Sequence, residues 1–172
     1  MKPMRLAVPL ILFTVLIMSC RKIEKLPPEP SIGFTSFSVF DTTDILGNAA
    51  KAGRLKFDFE DGDGDLGLPL PADDLSMDTI NLFFSLFRKV DGVMTPVALN
   101  DPLKPTGYRI PYMEREGQNK ILKGTISVTF LYFSWSPADI LRYDFYIKDR
   151  AGNESNTAST PEIDISANNI YR

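Results

Sequence analysis

The chain contains no histidine and a single cysteine, Cys20. Without imidazole it cannot assemble a Ser-His-Asp or Cys-His nucleophile site or a histidine-ligated zinc centre. With no thiol beyond Cys20, the region that follows can form neither a disulfide nor a thiolate cluster, so its stability must come from its core, aided where present by a bound ion. Positive charge is also scarce: 19 Lys and Arg against 22 Asp and Glu give a formal charge of −3, and the basic residues are dispersed. Nucleic-acid binding requires clustered Lys and Arg, so that partner class is excluded. No long apolar run follows Cys20, which removes membrane-spanning helices from that part of the chain. Carboxylate-pair chemistry of the glycosidase type needs only two placed acids. It stays open as a catalytic class, although no spacing singles out a pair.

What is present begins with the stretch Leu6–Met18, apolar and preceded by the basic residues Lys2 and Arg5. Its length suits an export signal better than a bilayer span, and Ser19 supplies the small residue expected at a cleavage point. Ile17-Met18-Ser19-Cys20 resembles the bacterial lipobox, in which the cysteine is lipidated on sulfur and becomes the acylated N-terminus. Ile17 and Met18 stand where leucine and a small residue are commoner. The expectation is a lipoprotein signal peptide over residues 1–19 and a covalent lipid on Cys20. Cleavage there also removes Lys2 and Arg5, making the formal charge two units more negative. Two or more acyl chains hold a protein on a bilayer, since each buried methylene contributes about 0.8 kcal/mol. Residues 20–31 then form the lipidated end and a Pro-rich tether, because Leu26-Pro27-Pro28-Glu29-Pro30 cannot easily fold. Arg21 and Lys22 follow the cysteine, so the aspartate that retains some lipoproteins at the inner membrane is absent, which favours the outer membrane, on its periplasmic or surface face.

Residues 32–172 read as one domain, within the usual one-domain length. Short aromatic and β-branched runs separated by Gly, Pro, Asn and Asp predict an all-β fold. Ile32–Phe40 alternates imperfectly, which predicts an edge strand or a bulge. Arg54–Glu60 alternates cleanly, with Leu55, Phe57 and Phe59 on one face. Thr79–Val90 carries Ile80, Leu82, Phe84 and Leu86 in strand register against Phe83 and Phe87, and Asp91-Gly92 turns it into Val93–Leu99. Tyr108–Tyr112 is predicted to be an extended connection, since Pro111 lacks a ladder donor. Ile121–Phe133 puts Ile126, Val128 and Phe130 on one face, and Ser136–Ile140 reads as a capped helical turn. Leu141–Asp149 alternates strictly, and Thr157–Ile165 closes the fold. The whole predicts an immunoglobulin-like antiparallel β-sandwich of about seven strands.

The sharpest local motif is Glu60-Asp61-Gly62-Asp63-Gly64-Asp65-Leu66-Gly67. Calcium takes six to eight oxygens at about 2.3–2.6 Å, and alternate aspartates in a curling loop can converge on one ion while glycines permit the tight path. It is not an EF-hand: Leu66 occupies the position of the sixth-residue glycine, and no closing glutamate or flanking helix is present. Asp-Gly pairs are also good turn formers without any metal, so the loop stands either as a Ca2+ site or as a plain turn. Asp61, Asp63 and Asp65 are the candidate ligands. Asp149 and Asn153, from the oxygen-rich segment Asp149–Asn156, would join them if the loops at one end of a sandwich cluster.

Phe57–Gly67 followed by Tyr146–Asn156 resembles paired signatures of small uncharacterised lipoproteins from Bacteroidetes-type bacteria, and Asp149–Asn156 is similar to the late-strand motif of bacterial immunoglobulin-like domains. That resemblance covers the region after the anchor in order and brings no activity with it. It implies a lipid-anchored, non-enzymatic binding or structural module of the cell envelope, whose partners would be the bilayer and an envelope protein or glycan. A carbohydrate-binding accessory lipoprotein is the alternative, with Trp135 beside Tyr132 or Phe133 as a sugar-stacking platform; a carboxylate-dependent glycan-active enzyme is the third. Asp41-Thr42-Thr43 and Asp78-Thr79-Ile80 resemble a short O-glycosylation sequon of the same phylum.

Overall fold

The computed structural model describes residues 26–70, 80–105, 107–114, 120–132 and 139–172. Cys20 and the leader, Asp78-Thr79, Phe133, Trp135 and Ser136–Ala138 lie outside the described residues. Nine strands run in chain order among those described: β1 (Ser31–Thr43), β2 (Ala49–Asp61), β3 (Leu82–Val90), β4 (Val93–Pro96), β5 (Leu122–Tyr132), β6 (Ile140–Ile147), β7 (Ala158–Ser159), β8 (Ile163–Asp164) and β9 (Asn169–Tyr171). They form two antiparallel sheets packed face to face. One has the order β5-β2-β1-β9 and the other β4-β3-β6-β7, with β8 also pairing with β6. The protein is an all-β sandwich. No helix among the described residues is long and apolar enough to cross a membrane.

Period-two patterning accounts for the core. On β2, Leu55, Phe57 and Phe59 are buried while Arg54, Lys56, Asp58 and Glu60 face water. Leu141, Tyr143, Phe145 and Ile147 of β6 are all fully buried. The irregular alternation of β1 has a specific cause: the register to β2 shifts between Phe34 and Ser36, leaving Thr35 as an extra residue. The bulge changes parity, so Ile32 and Phe34 before it and Phe37 and Val39 after it all reach the core side. β1 is not an edge strand, because β9 pairs with its other side at Phe37–Val39.

The β3–β4 hairpin turns at Asp91 and Gly92, both with positive φ (49° and 81°), the type I′ geometry that suits strand twist. Three expectations shift. The strand after the turn stops at Pro96, and Leu99 is exposed. Ile80 precedes β3 and is surface-exposed, since the main chain at Asn81 and Leu82 bonds instead to Tyr108. Ile140, predicted to end a helical turn, is the first residue of β6. Tyr108–Tyr112 is extended as expected, bridging singly to Leu82 and, through Pro111, to Leu68.

Candidate functional site

β2 delivers its last residue, Asp61, to one end of the sandwich with the side chain turned inward and fully buried. The carboxylate accepts the Leu66 N–H at 2.7 Å and the Gly64 N–H at 3.2 Å, curling the chain back over it. Leu66 is fully buried and pins the loop to the core. Two glycines allow close approach: a Cβ on Gly62 would run into the Pro27 and Leu26 carbonyls, and one on Gly67, at φ 95°, would meet the Pro111 carbonyl. The described start of the chain therefore packs directly on the aspartate loop, a contact that strand patterning could not reveal.

Carboxylate oxygens of Asp61, Asp63 and Asp65 lie within 4.8 Å of one another. Opposed oxygens around one calcium ion are separated by roughly twice the 2.3–2.6 Å bond, about 4.6–5.2 Å, so the trio spans a suitable distance. The second loop lies alongside. Asp65 accepts the Ala151 N–H on Oδ2 at 3.1 Å, its carbonyl accepts the Arg150 N–H at 3.4 Å, and the Arg150 guanidinium donates to the Gly67 carbonyl at 2.8 Å. Asp149, buried, accepts the Asn153 backbone N–H and side-chain amide, both at 2.8 Å. The structure thus converges Asp61, Asp63 and Asp65, places Asp149 close enough for its charge to be felt at Asp65, and uses the Asn153 amide nitrogen to hold Asp149.

The electrostatics are those of crowded acids. Burial is the main force pushing the Asp61 carboxyl above its ordinary value; Asp63 adds to it, while the Leu66 and Gly64 N–H groups oppose it. Asp65 is also raised, first by burial and then by Asp149, Asp63 and Asp61, with Arg150 the counteracting charge. Asp65 Oδ1 is buried and has no hydrogen-bond partner among the described residues. A buried carboxylate oxygen beside two further carboxylates is an all-oxygen donor set of the kind a hard cation takes.

Tyr112, half exposed, lies beside this end with the Arg150 guanidinium 4.9 Å from its ring centre. Among the described residues it is the one large aromatic exposed by half or more. At the opposite end of the sandwich, the Tyr132 and Tyr143 hydroxyls meet at 3.0 Å and join the two sheets. Lys51, buried there, pairs with Asp41 at 2.8 Å and donates to Asn168 at 2.9 Å. Asp41, first residue of one glycosylation-like triplet, is thus engaged in an ion pair.

Fold and site together define a two-sheet β-sandwich with an acidic loop end against which the incoming chain packs. No family model, curated protein or solved structure matches the chain.

Proposed function

We propose that this protein is a lipid-anchored, non-enzymatic module of the bacterial cell envelope, in which calcium stiffens the junction between tether and sandwich. The observation that carries the calcium reading is the convergence of three carboxylates within 4.8 Å on a loop packed against Leu26 and Pro27. Cys20 would carry the lipid, residues 20–31 would set the reach, and the sandwich would present its remaining surface to an envelope protein or glycan. The strand order, with β5-β2-β1 facing β4-β3-β6-β7, supports an immunoglobulin-like arrangement. Asp61, Asp63 and Asp65 would hold the ion directly. Asp149, locked by Asn153 and adjacent to Asp65, would add negative charge behind them. The ion would supply charge compensation and rigidity, lowering the ordering cost of binding at that end.

The test is thermal unfolding with excess calcium and then with a chelator, on the wild type and on Asp63→Asn. Binding only the folded state at about a hundredfold above Kd adds about 2.7 kcal/mol, which for a domain of this size raises Tm by roughly 5–10 °C. A shift of that order, lost in Asp63→Asn, is expected. Coincident melts would reduce the loop to a turn.

A further inference from the structure

The outer strands of the two sheets differ sharply in length. β9, β4, β7 and β8 are two to four residues long, and β4 ends in Pro96. Short, interrupted edges are how sheets avoid unwanted pairing. β5 is the exception. It runs for eleven residues, and it pairs with β2 along its whole length with no register shift. From Gly124 to Tyr132 it carries no charge and no proline. Among the described residues, no strand pairs with its other side.

Beneath that open edge lies a groove of about 440 Å³, lined by Tyr108, Ile110, Met113, Ile126 and Val128 among others. Of these, Tyr108, Met113, Ile126 and Val128 are only partly buried. A strand added to β5 along Thr125–Thr129 would pair with its outward main chain and cover this apolar lining with alternate side chains.

We infer that β5 is a homodimer interface, at which the β5 strand of a second copy adds antiparallel and joins two four-stranded sheets into one of eight. The sequence of β5 is self-complementary about Ser127. A two-fold axis there sets Ile126 opposite Val128 on the groove side and Thr125 opposite Thr129 on the solvent side. Gly124 then meets Phe130, and since Gly124–Tyr132 holds no charged residue, no like charges face each other across it. Apolar and Thr–Thr cross-strand pairs are the favourable ones, and two-fold pairing is the commonest form of self-association. Because the axis is perpendicular to the sheet, the inward faces of both copies stay on one side and their grooves merge. The two Leu26 residues leave from opposite ends of the pair, so if Cys20 anchors each copy to one membrane, the strands run along its surface. That orientation depends on the lipid anchor; the pairing does not.

Sedimentation equilibrium on residues 26–172, which hold the nine described strands and the described core cluster, tests this. The wild type is expected to dimerise in the micromolar range. Ser127→Lys and Ser127→Glu each place like charges at the axis, so each should weaken the dimer about a hundredfold, while an equimolar mixture of the two restores it. Ser127 is exposed, so circular dichroism melts of the monomeric variants should match the wild-type fold and separate lost pairing from lost folding. In a Ser127→Cys variant, facing thiols would be within disulfide reach, and mild oxidation should link the dimer covalently. A monomeric wild type, a dimer indifferent to both charges, a mixture that stays monomeric, or a Ser127→Cys dimer that oxidation fails to cross-link would each overturn the assignment. An added extended peptide that binds a monomeric wild type at β5 would do so as well, replacing self-pairing with capture of a foreign strand.

Discussion

Tyr132 and Tyr143 illustrate how much a single hydroxyl pair can decide. Both rings are buried, and burial raises both phenols above the ordinary value of 10.0. A group whose folded pKa is raised contributes stability that is complete below its unfolded value and is lost as pH climbs past it. Stability should therefore fall above about pH 10, where tyrosines of the unfolded chain ionise and these two cannot. Chemical denaturation across that range, on the wild type and on a Tyr132→Phe/Tyr143→Phe double variant, checks it: the double variant should lose much of the alkaline decline. At neutral pH, Tyr143→Phe alone leaves the Tyr132 hydroxyl buried without its partner, at a cost of about 1–3 kcal/mol. The double variant should cost less than the sum of the single ones. At the other end of the molecule, Gly62→Ala drives a Cβ into the Leu26 and Pro27 carbonyls. A melt should place it about 1–3 kcal/mol below wild type, as overpacking generally does.

At the scale of the element, the bulge in β1 carries the sharpest prediction. Deleting Thr35 restores an even alternation and forces either Ile32 and Phe34 or Phe37 and Val39 away from the core. Exposing two large apolar side chains costs about 1.5–3 kcal/mol each, so the deletion should unfold or severely destabilise the sandwich. Thr35→Ala, on an exposed residue, should change the melt by less than about 0.5 kcal/mol. Strands whose alternation is strict were legible in the sequence. Leu141–Ile147, Leu55–Phe59 and the Asp91-Gly92 turn are where predicted because side-chain period and turn chemistry are local properties. Ile80 was not legible. Its alternation continues that of Leu82 and Phe84, but main-chain bonds from Tyr108 take over the segment before β3. β9 had no signal, since three residues carry no period, and only its meeting with Phe37–Val39 makes it a strand.

On the scale of the whole molecule, the aspartate loop lies at the same end as the described start of the chain. If calcium fills that loop, the exit of the tether stiffens with it. Hydrogen exchange measured with calcium and with chelator should show added protection at Leu26, Gly64 and Leu66, with little change at the Tyr132–Tyr143 end. Uniform protection across both ends would mean global stabilisation without local clamping. The acidic trio was legible as a motif because alternate Asp and Gly point to a curled, oxygen-rich loop whether or not a metal binds. The Asp149 loop was legible only as a conditional partner.

The amino-acid sequence by itself determined the all-β class, the faces of the regular strands, the hairpin turn, the absence of histidine and thiol chemistry, and the oxygen-rich loops. Each of these depends on residue type and on periods of a few residues. The tertiary structure alone decided that Asp65 meets Arg150 and Ala151, that Leu26 and Pro27 press on Gly62, that two tyrosine hydroxyls join the sheets, and that an apolar groove lies along β5 at the end of its sheet. Those contacts join residues far apart in the chain. They are selected by the packing of one sheet against the other, where burial of the core fixes which loops and edges become neighbours.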